Sequence, residues 1–426
     1  MRTPIIVLFI LVGSLLPESL EAQVVDTTRV ADSTQARAPV FSAHTAETAT
    51  GIQAVPESQV FLGAFKSILD HHQTTFSDST LWEQALEGLI EGLNDPYAAV
   101  FTAEEFGAFQ EENTGDYVGI GVQITRLNER VTVTAVFRQT PADMAGLTVG
   151  DRIVGVNGVD AHLWSVDQAR DSIRGEVGSS VNVAVERDGL AEPITLPIQR
   201  AQVHVSAVEA SMVYDSLGYI LVDRVARGSA AEVDSAFRVL KDAKGIVLDL
   251  RGNPGGYLVE SLSMVDLFLA RDQPMAITRS RAVGQPNQLD EETYRARLPA
   301  RIQGKPIVVL VDRFSASAAE IVAGALQDHD RALVLGERTF GKGVVQTVLP
   351  LPGERRIRIT IGSWHTPLGR SLHIPRDFEG RPLEEEPDTY PVITTDAGRA
   401  LRADGGVYPD LVVEVDTLTT PARELL

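Results

Sequence analysis

Hydrophobic positions change their period along the chain, and the changes mark its parts. Over residues 57–113 they recur at helical spacing, as in "VFLGAFKSILDHH" and "LWEQALEGLIEGL". Asn94-Asp95-Pro96-Tyr97 breaks that pattern, because proline lacks a backbone donor and restricts the residue before it. "TAEEFGAFQEE" predicts a further helix, with Thr102 as its cap and acids in its first turn. From Tyr117 the period becomes two. "GIGVQITRL" and "VTVTAV" alternate on either side of Asn128-Glu129, the pattern of a hairpin. A short helix at 141–145, a Gly150-Asp151 turn, a strand, an Asn157-Gly158 turn, a helix ending at Gly175 and the strand "SSVNVAVERDG" follow. After residue 200 strand-like and helix-like runs alternate: "LGYILVDRV", "SAAEVDSAFRVLKDA", "GIVLDL", "YLVESLSMVDLFLA", "PIVVLV", "AEIVAGALQDH" and "RALVLG". That alternation predicts an α/β domain with its ligands at the C-terminal ends of the strands.

The two ends read differently. "MRTPIIVLFILVGSLLPESLEAQ" has one arginine before a short apolar run, then small and polar residues, the pattern of an export signal ending near Ala22. Residues 23–55, rich in Thr, Ala, Ser and Gln, read as a linker. The expected organisation is therefore signal 1–22, linker 23–55, helical unit 56–113, an inserted β-rich module 114–200, an α/β core 201–415 and a tail 416–426. An exported chain, periplasmic or secreted, is expected; an uncleaved signal would leave it membrane-associated.

Composition narrows the chemistry. The chain has no cysteine, so thiolate nucleophiles, disulfides and cysteine metal sites are excluded. Asp and Glu number 58 against 38 Lys and Arg, a net charge of -20, which argues against a nucleic-acid partner. His71 and His72 are adjacent, so a helix sends them in different directions, and no HExxH occurs. No metal and no organic cofactor is expected.

Loops after strand-like runs carry the candidate chemistry. "DLRGNPGG", 249–256, opens a helix with a glycine-rich turn whose N–H groups suit a phosphate or an oxyanion. It lacks the lysine ending of a P-loop. "VDRFSASAAEIVAG" sets Ser315 and Ser317 between a strand and a helix, where a serine is either a helix cap or an exposed nucleophile. "TFGKGVVQ" puts Lys342 between glycines, with Gln346 on the same face of an extended strand. A lysine acts as a base only when neutral, and apolar surroundings favour that form. A neutral amide such as Gln346 can orient the amine without holding its proton. A Ser-His-Asp arrangement is disfavoured, since Asp328 and His329 are neighbours on a helix, His365 and His373 lie far downstream, and no GxSxG elbow occurs.

The order "GIG" loop, short helix, "AGLTVGDRIVGVNG" and second helix resembles a PDZ domain. Together with "LNDPY", "DLRGNPGG", "SASAAEIVAGALQD", "GERTFGKGVVQ", "TPLGRSL" and "GGVYPD", it resembles the carboxyl-terminal processing, or tail-specific, proteases over about 56–415. The resemblance implies a multidomain α/β fold. Its parts are a protease core of the crotonase and Clp-protease type, an inserted PDZ domain and an N-terminal helical unit. It also implies roles: Ser317 as nucleophile, Lys342 as general base, Gln346 orienting the lysine, and Asp328 in support. Backbone N–H groups of Gly255, Gly256 and Ala318 would form the oxyanion hole. Gly119, Ile120 and Gly121 would hold a peptide carboxylate, with the peptide added as a strand. Arg174, ending the second helix of the module, could contact the protease core and gate the site. Ala319 stands where the family often has serine, a small-for-small change. The implied substrates are proteins or peptides with accessible C-termini, and a homodimer or adaptor is a possible partner. The competing reading is a non-catalytic peptide-binding scaffold on the same fold.

Overall fold

A computed structural model of the chain describes residues 56–282, 288–302, 304–383 and 389–413. All of them belong to one compact unit, Ser42–Leu426. The signal, linker and tail assignments lie outside the described residues.

The helices, in chain order, are α1 (Pro56–His71), α2 (Asp78–Glu91), α3 (Ala103–Thr114), α4 (Pro141–Met144), α5 (Val166–Ile173), α6 (Ser229–Val239), α7 (Leu258–Asp266) and α8 (Ala318–Asp328). The expected cap of α3 is present: Thr102 accepts from the Glu105 N–H, and the Glu105 carboxylate accepts from the Thr102 N–H. α1 ends at His71, as the pattern predicts. α7 is shorter than "YLVESLSMVDLFLA" suggests, because Leu267, Phe268 and Leu269 turn into the core after Asp266.

Residues 114–204 form the PDZ-like module. Its sheet orders the strands Val122–Leu127, Arg130–Val136, Arg152–Val156, Ser180–Glu186 and Ile194–Gln199. The first hairpin turns at Asn128 and Glu129, which both adopt positive φ (47° and 63°), the backbone hand that matches strand twist. The module packs on its own core, including Ile120, Val133, Ile153, Ala169 and Val183. A neck joins it to the rest of the unit: Asp116–Gly119 pairs antiparallel with Ala201–His204.

The α/β core is built on a sheet ordered Val208–Val213, Leu217–Val222, Gly245–Asp249, Ile307–Val311, Leu333–Gly336 and Leu411–Val412. After the first antiparallel pair every neighbour is parallel. Such strands are covered on both faces and read as continuous apolar runs, as "GIVLDL" and "PIVVLV" do. Every residue of α8 is buried, three polar ones included: Glu320, Gln327 and Asp328. A second sheet orders Ala99–Phe101, Arg356–His365, Pro274–Arg281 and Leu289–Arg295, and Val344–Pro350 also pairs with Arg356–His365. The helical unit is thus stitched into the core: its strand Ala99–Phe101 runs antiparallel to Arg356–Arg358.

Candidate active site

Ser317 stands at the strand-to-helix junction, immediately before α8. It holds φ 54° and ψ -114°. A positive φ on a residue with a side chain is strained, and such strain persists where surrounding contacts fix it. Those contacts come from the "DLRGNPGG" loop beside it. The Ala316 N–H donates to the Asn253 carbonyl at 2.9 Å, and the Gly252 N–H donates to Asp312 at 3.0 Å. Gly255, at φ 97°, lies so close that a Cβ there would stand 2.8 Å from the Ser317 Cβ. Only glycine fits that approach. The loop is braced in turn by Asp249, which accepts from Arg251 at 2.6 Å and from Tyr219 at 2.7 Å.

The neighbouring serine has a different place. Ser315 is fully buried, and its hydroxyl donates to the Leu250 carbonyl at 2.8 Å while accepting from the Asp312 N–H at 2.9 Å. It shapes the turn and has no access to a substrate.

Lys342 precedes the strand Val344–Pro350. Its carbonyl accepts from the Trp364 indole N–H at 3.1 Å. Gly341, at φ 81°, packs against Ile374, where a Cβ would meet that side chain at 2.5 Å. Burial, with the Arg358 charge nearby, brings the Lys342 ammonium down to about 8. Gln346 lies beyond a bulge between Val345 and Gln346, and its Nε2 donates to the Tyr97 carbonyl at 2.8 Å. Lys342 Nζ sits 4.8 Å from the centre of the Tyr97 ring. Lysine and glutamine therefore converge on Tyr97, from the "NDPY" turn, which the reading of the strand face alone did not include.

Glu320 fixes the serine loop to the lysine loop. One of its carboxylate oxygens accepts from the Ser317 N–H at 2.7 Å and from the Lys342 N–H at 2.8 Å. The other accepts from the Gly341 N–H at 2.7 Å and the Thr339 hydroxyl at 2.6 Å. Burial pushes this carboxyl up from its usual range, and those four hydrogen bonds oppose the shift. The sequence carried a signal for Glu320, the Ser-x-x-Glu spacing of a capping box across 317–320.

Ser317, Lys342, Gln346, Gly255, Gly256 and Ala318 all line one cavity of about 1120 Å³. Apolar side chains including Val225, Leu258, Ile321 and Trp364 share its wall. Of the expected oxyanion donors, the Gly255 N–H is already given to the Asn253 side chain at 2.8 Å, which narrows the set to Gly256 and Ala318. Asp328 lies at the far end of α8, where it pairs with buried Arg370 at 2.6 Å and takes the Leu368 N–H at 2.8 Å. It thereby anchors the "TPLGRSL" segment and has no place in the cavity wall. Arg174 does line the cavity. It pairs with Glu111 of α3 at 2.8 Å and lies over the Tyr117 ring at 5.6 Å, so its partner belongs to the helical unit. Gly119, Ile120 and Gly121 sit apart, in the module. The Ile120 carbonyl accepts from Ala142 at 2.8 Å and the Gly121 carbonyl from Phe137 at 3.0 Å.

Comparison with known proteins identifies the family. Residues 216–379 match the model of peptidase family S41, and residues 132–187 match a PDZ domain. The carboxy-terminal-processing protease of Bartonella bacilliformis is 32% identical over 338 residues, which cover 77% of this chain and 76% of that protein. The carboxy-terminal processing protease CtpB of Bacillus subtilis is 31% identical over 315 residues, 73% of this chain and 64% of that protein. Among solved structures, a photosystem II D1 C-terminal processing protease aligns over 86% of this chain and 95% of its own, with 25% identity and a TM-score of 0.42. The chain belongs to the carboxy-terminal processing proteases of peptidase family S41 and carries a PDZ domain.

Proposed function

We propose that the chain is an exported serine endopeptidase that cuts polypeptides by a Ser-Lys mechanism. Neutral Lys342 takes the Ser317 hydroxyl proton as its oxygen attacks the scissile carbonyl. The N–H groups of Gly256 and Ala318, with the N-terminus of α8 behind them, receive the oxyanion. Collapse breaks the C–N bond, and the lysine ammonium returns the proton to the leaving amine. Water then attacks the acyl-serine ester, the same lysine serving as base, and frees the carboxylic acid and Ser317. The PDZ domain binds the substrate's C-terminal strand and carboxylate at Gly119, Ile120 and Gly121 and delivers the upstream chain to the cavity. The residues before 56 act as the export signal and linker.

The observation that carries this reading is the placement of Lys342, which lines one cavity with Ser317 and is covered by the Tyr97 ring, a setting that favours the neutral amine. At pH 7 an ordinary lysine is neutral about once in 2,500 molecules, whereas one near 8 is neutral in about one of ten. Burial, together with the Arg358 charge, outweighs the upward pull on the ammonium from Asp95 and from Glu320, which takes the Lys342 backbone N–H. Activity on an unstructured polypeptide should rise with pH through about 8, as the base loses its proton. Ser317→Ala and Lys342→Ala should each lower kcat by about three orders of magnitude or more while the circular dichroism spectrum stays that of the parent. Full turnover by either variant would overturn the assignment.

A further inference from the structure

The strand Val344–Pro350 brings Lys342 and Gln346 against a turn contributed by the helical unit, more than two hundred residues earlier in the chain. That turn is a rigid one. Asn94 takes φ 50°, the Asp95 carboxylate accepts from the Tyr97 N–H at 3.0 Å, and the Asp95 carbonyl accepts from Ala98 at 3.1 Å. The Tyr97 carbonyl is thereby aimed at the core, where it accepts from Gln346 Nε2 at 2.8 Å and from Arg358 Nε at 3.0 Å. A carbonyl can only accept, so this bond fixes which way the Gln346 amide faces. Its NH2 is directed to Tyr97, and its oxygen is the atom left to accept a hydrogen bond. The aromatic ring of the same residue covers Lys342 Nζ.

We propose that Tyr97 is a positioning residue for the base: its ring roofs Lys342 and its carbonyl sets the Gln346 amide, so the 94–97 turn completes the base pocket. The inference rests on the reading of Lys342 as the base. It gives the helical unit a part in the chemistry, distinct from any part in assembly. The charged groups around the lysine are Arg358 from the second sheet, Asp95 from the turn and Glu320 from α8. Beyond the ring stand His373, 6.4 Å from it between centroids, and Arg376. The ring acts on the ammonium in two opposed ways. It keeps water away, which favours the neutral amine, and its π face attracts the charged form.

Those two effects can be separated in the full-length protein by the pH dependence of kcat on a fluorogenic peptide with an apolar C-terminus. Tyr97→Ala admits water to Lys342, so the acidic limb should move up by about one pH unit and kcat at pH 7 should fall about tenfold, with KM changing less than about threefold. Tyr97→Leu keeps a dry cover without a π face, so its limb should move down. Tyr97→Phe keeps the ring and should hold the limb where the parent has it. The inference is overturned if the Ala and Leu variants keep the parent's limb, or if Tyr97→Phe shifts as far as Tyr97→Ala. Should Tyr97→Ala not accumulate as folded protein, the Leu and Phe variants decide the matter by the same criterion. Lys342→Ala run beside them separates the two readings. An active Lys342→Ala overturns the base assignment itself, whereas an inactive one beside unshifted Tyr97 variants overturns only the role given to Tyr97.

Discussion

Glu320 and Asp328 occupy opposite ends of α8, and both are buried. At the first turn Glu320 is held by the Ser317, Gly341 and Lys342 N–H groups and the Thr339 hydroxyl, neutral donors throughout. At the last turn Asp328 is held by the Arg370 guanidinium, with Nε at 2.8 Å. The helix explains the difference. Its N-terminus carries partial positive charge, so an acid there is favoured by the dipole and can be held by neutral donors, here the Ser317 N–H at the helix start and three groups of the 339–342 loop. Its C-terminus carries the opposite partial charge, and an acid buried there needs a full cation. The chemistry profits from this placement. An arginine at the N-terminal end would stabilise Glu320 equally well, but it would bring a cation beside Ser317 and disturb the balance of charge around Lys342. Neutral donors let one carboxylate align the loop of Ser317 with the loop of Lys342, the proposed nucleophile and base.

The strongest test of the contrast is to remove the cation from the far end. Arg370→Met leaves Asp328 buried without its partner and should cost about 3–5 kcal/mol in urea unfolding. It should leave kcat per folded molecule within about threefold, because the pair lies away from the cavity. A variant as stable as the parent would show that the pair does not hold the end of α8. The next effect belongs to the near end. Glu320→Gln keeps the shape but turns one acceptor oxygen into an NH2 that faces N–H donors. It should cost about 1–3 kcal/mol in stability. It should also lower kcat at least about tenfold with little change in KM, since Ser317 and Lys342 lose a common anchor. If Glu320→Gln lowered stability alone, the carboxylate would be a structural cap with no part in aligning the two loops.

How much of this was legible in the sequence depended on the range of the interaction. The alternating hairpin of the PDZ domain, the cap of α3 and the buried parallel strands follow from local pattern, and "VTVTAV" or "GIVLDL" carry enough of it. Local pattern picked out the loops of Ser315, Ser317 and Lys342 but did not choose between the two serines; Ser317 was singled out only by the family resemblance, and burial of Ser315 now separates the two. The five-stranded sheet that carries Gln346, with Lys342 just before one of its strands, was not legible, because its strands 274–281, 289–295 and 356–365 are partly exposed and lack clean alternation. Tyr97 was visible only as part of a helix break, since nothing local says that a turn near residue 97 meets a strand near 346. Gln346 shows the same limit: strand periodicity put it on the face of Lys342, but a bulge and the partner turn decide what its amide touches.

The smallest expected effect sharpens the comparison most. In Arg370→Met combined with Asp328→Asn, neither charge remains and Leu368 keeps an acceptor for its N–H. Removing both members of a buried pair is often close to neutral, because the desolvation cost of each ion disappears with it. The double variant should therefore recover to within about 1 kcal/mol of the parent, with an interaction energy between the sites of about 2–4 kcal/mol from the full cycle. Glu320 admits no such rescue by side-chain exchange, because three of its four donors are backbone N–H groups, which persist under every substitution but proline. If the double variant stays as unstable as Arg370→Met alone, Asp328 and Arg370 are not a separable pair. The carboxylate would then be built into the α8 terminus as Glu320 is built into its start, and the difference between the two ends would lie in their donors and not in their energetics.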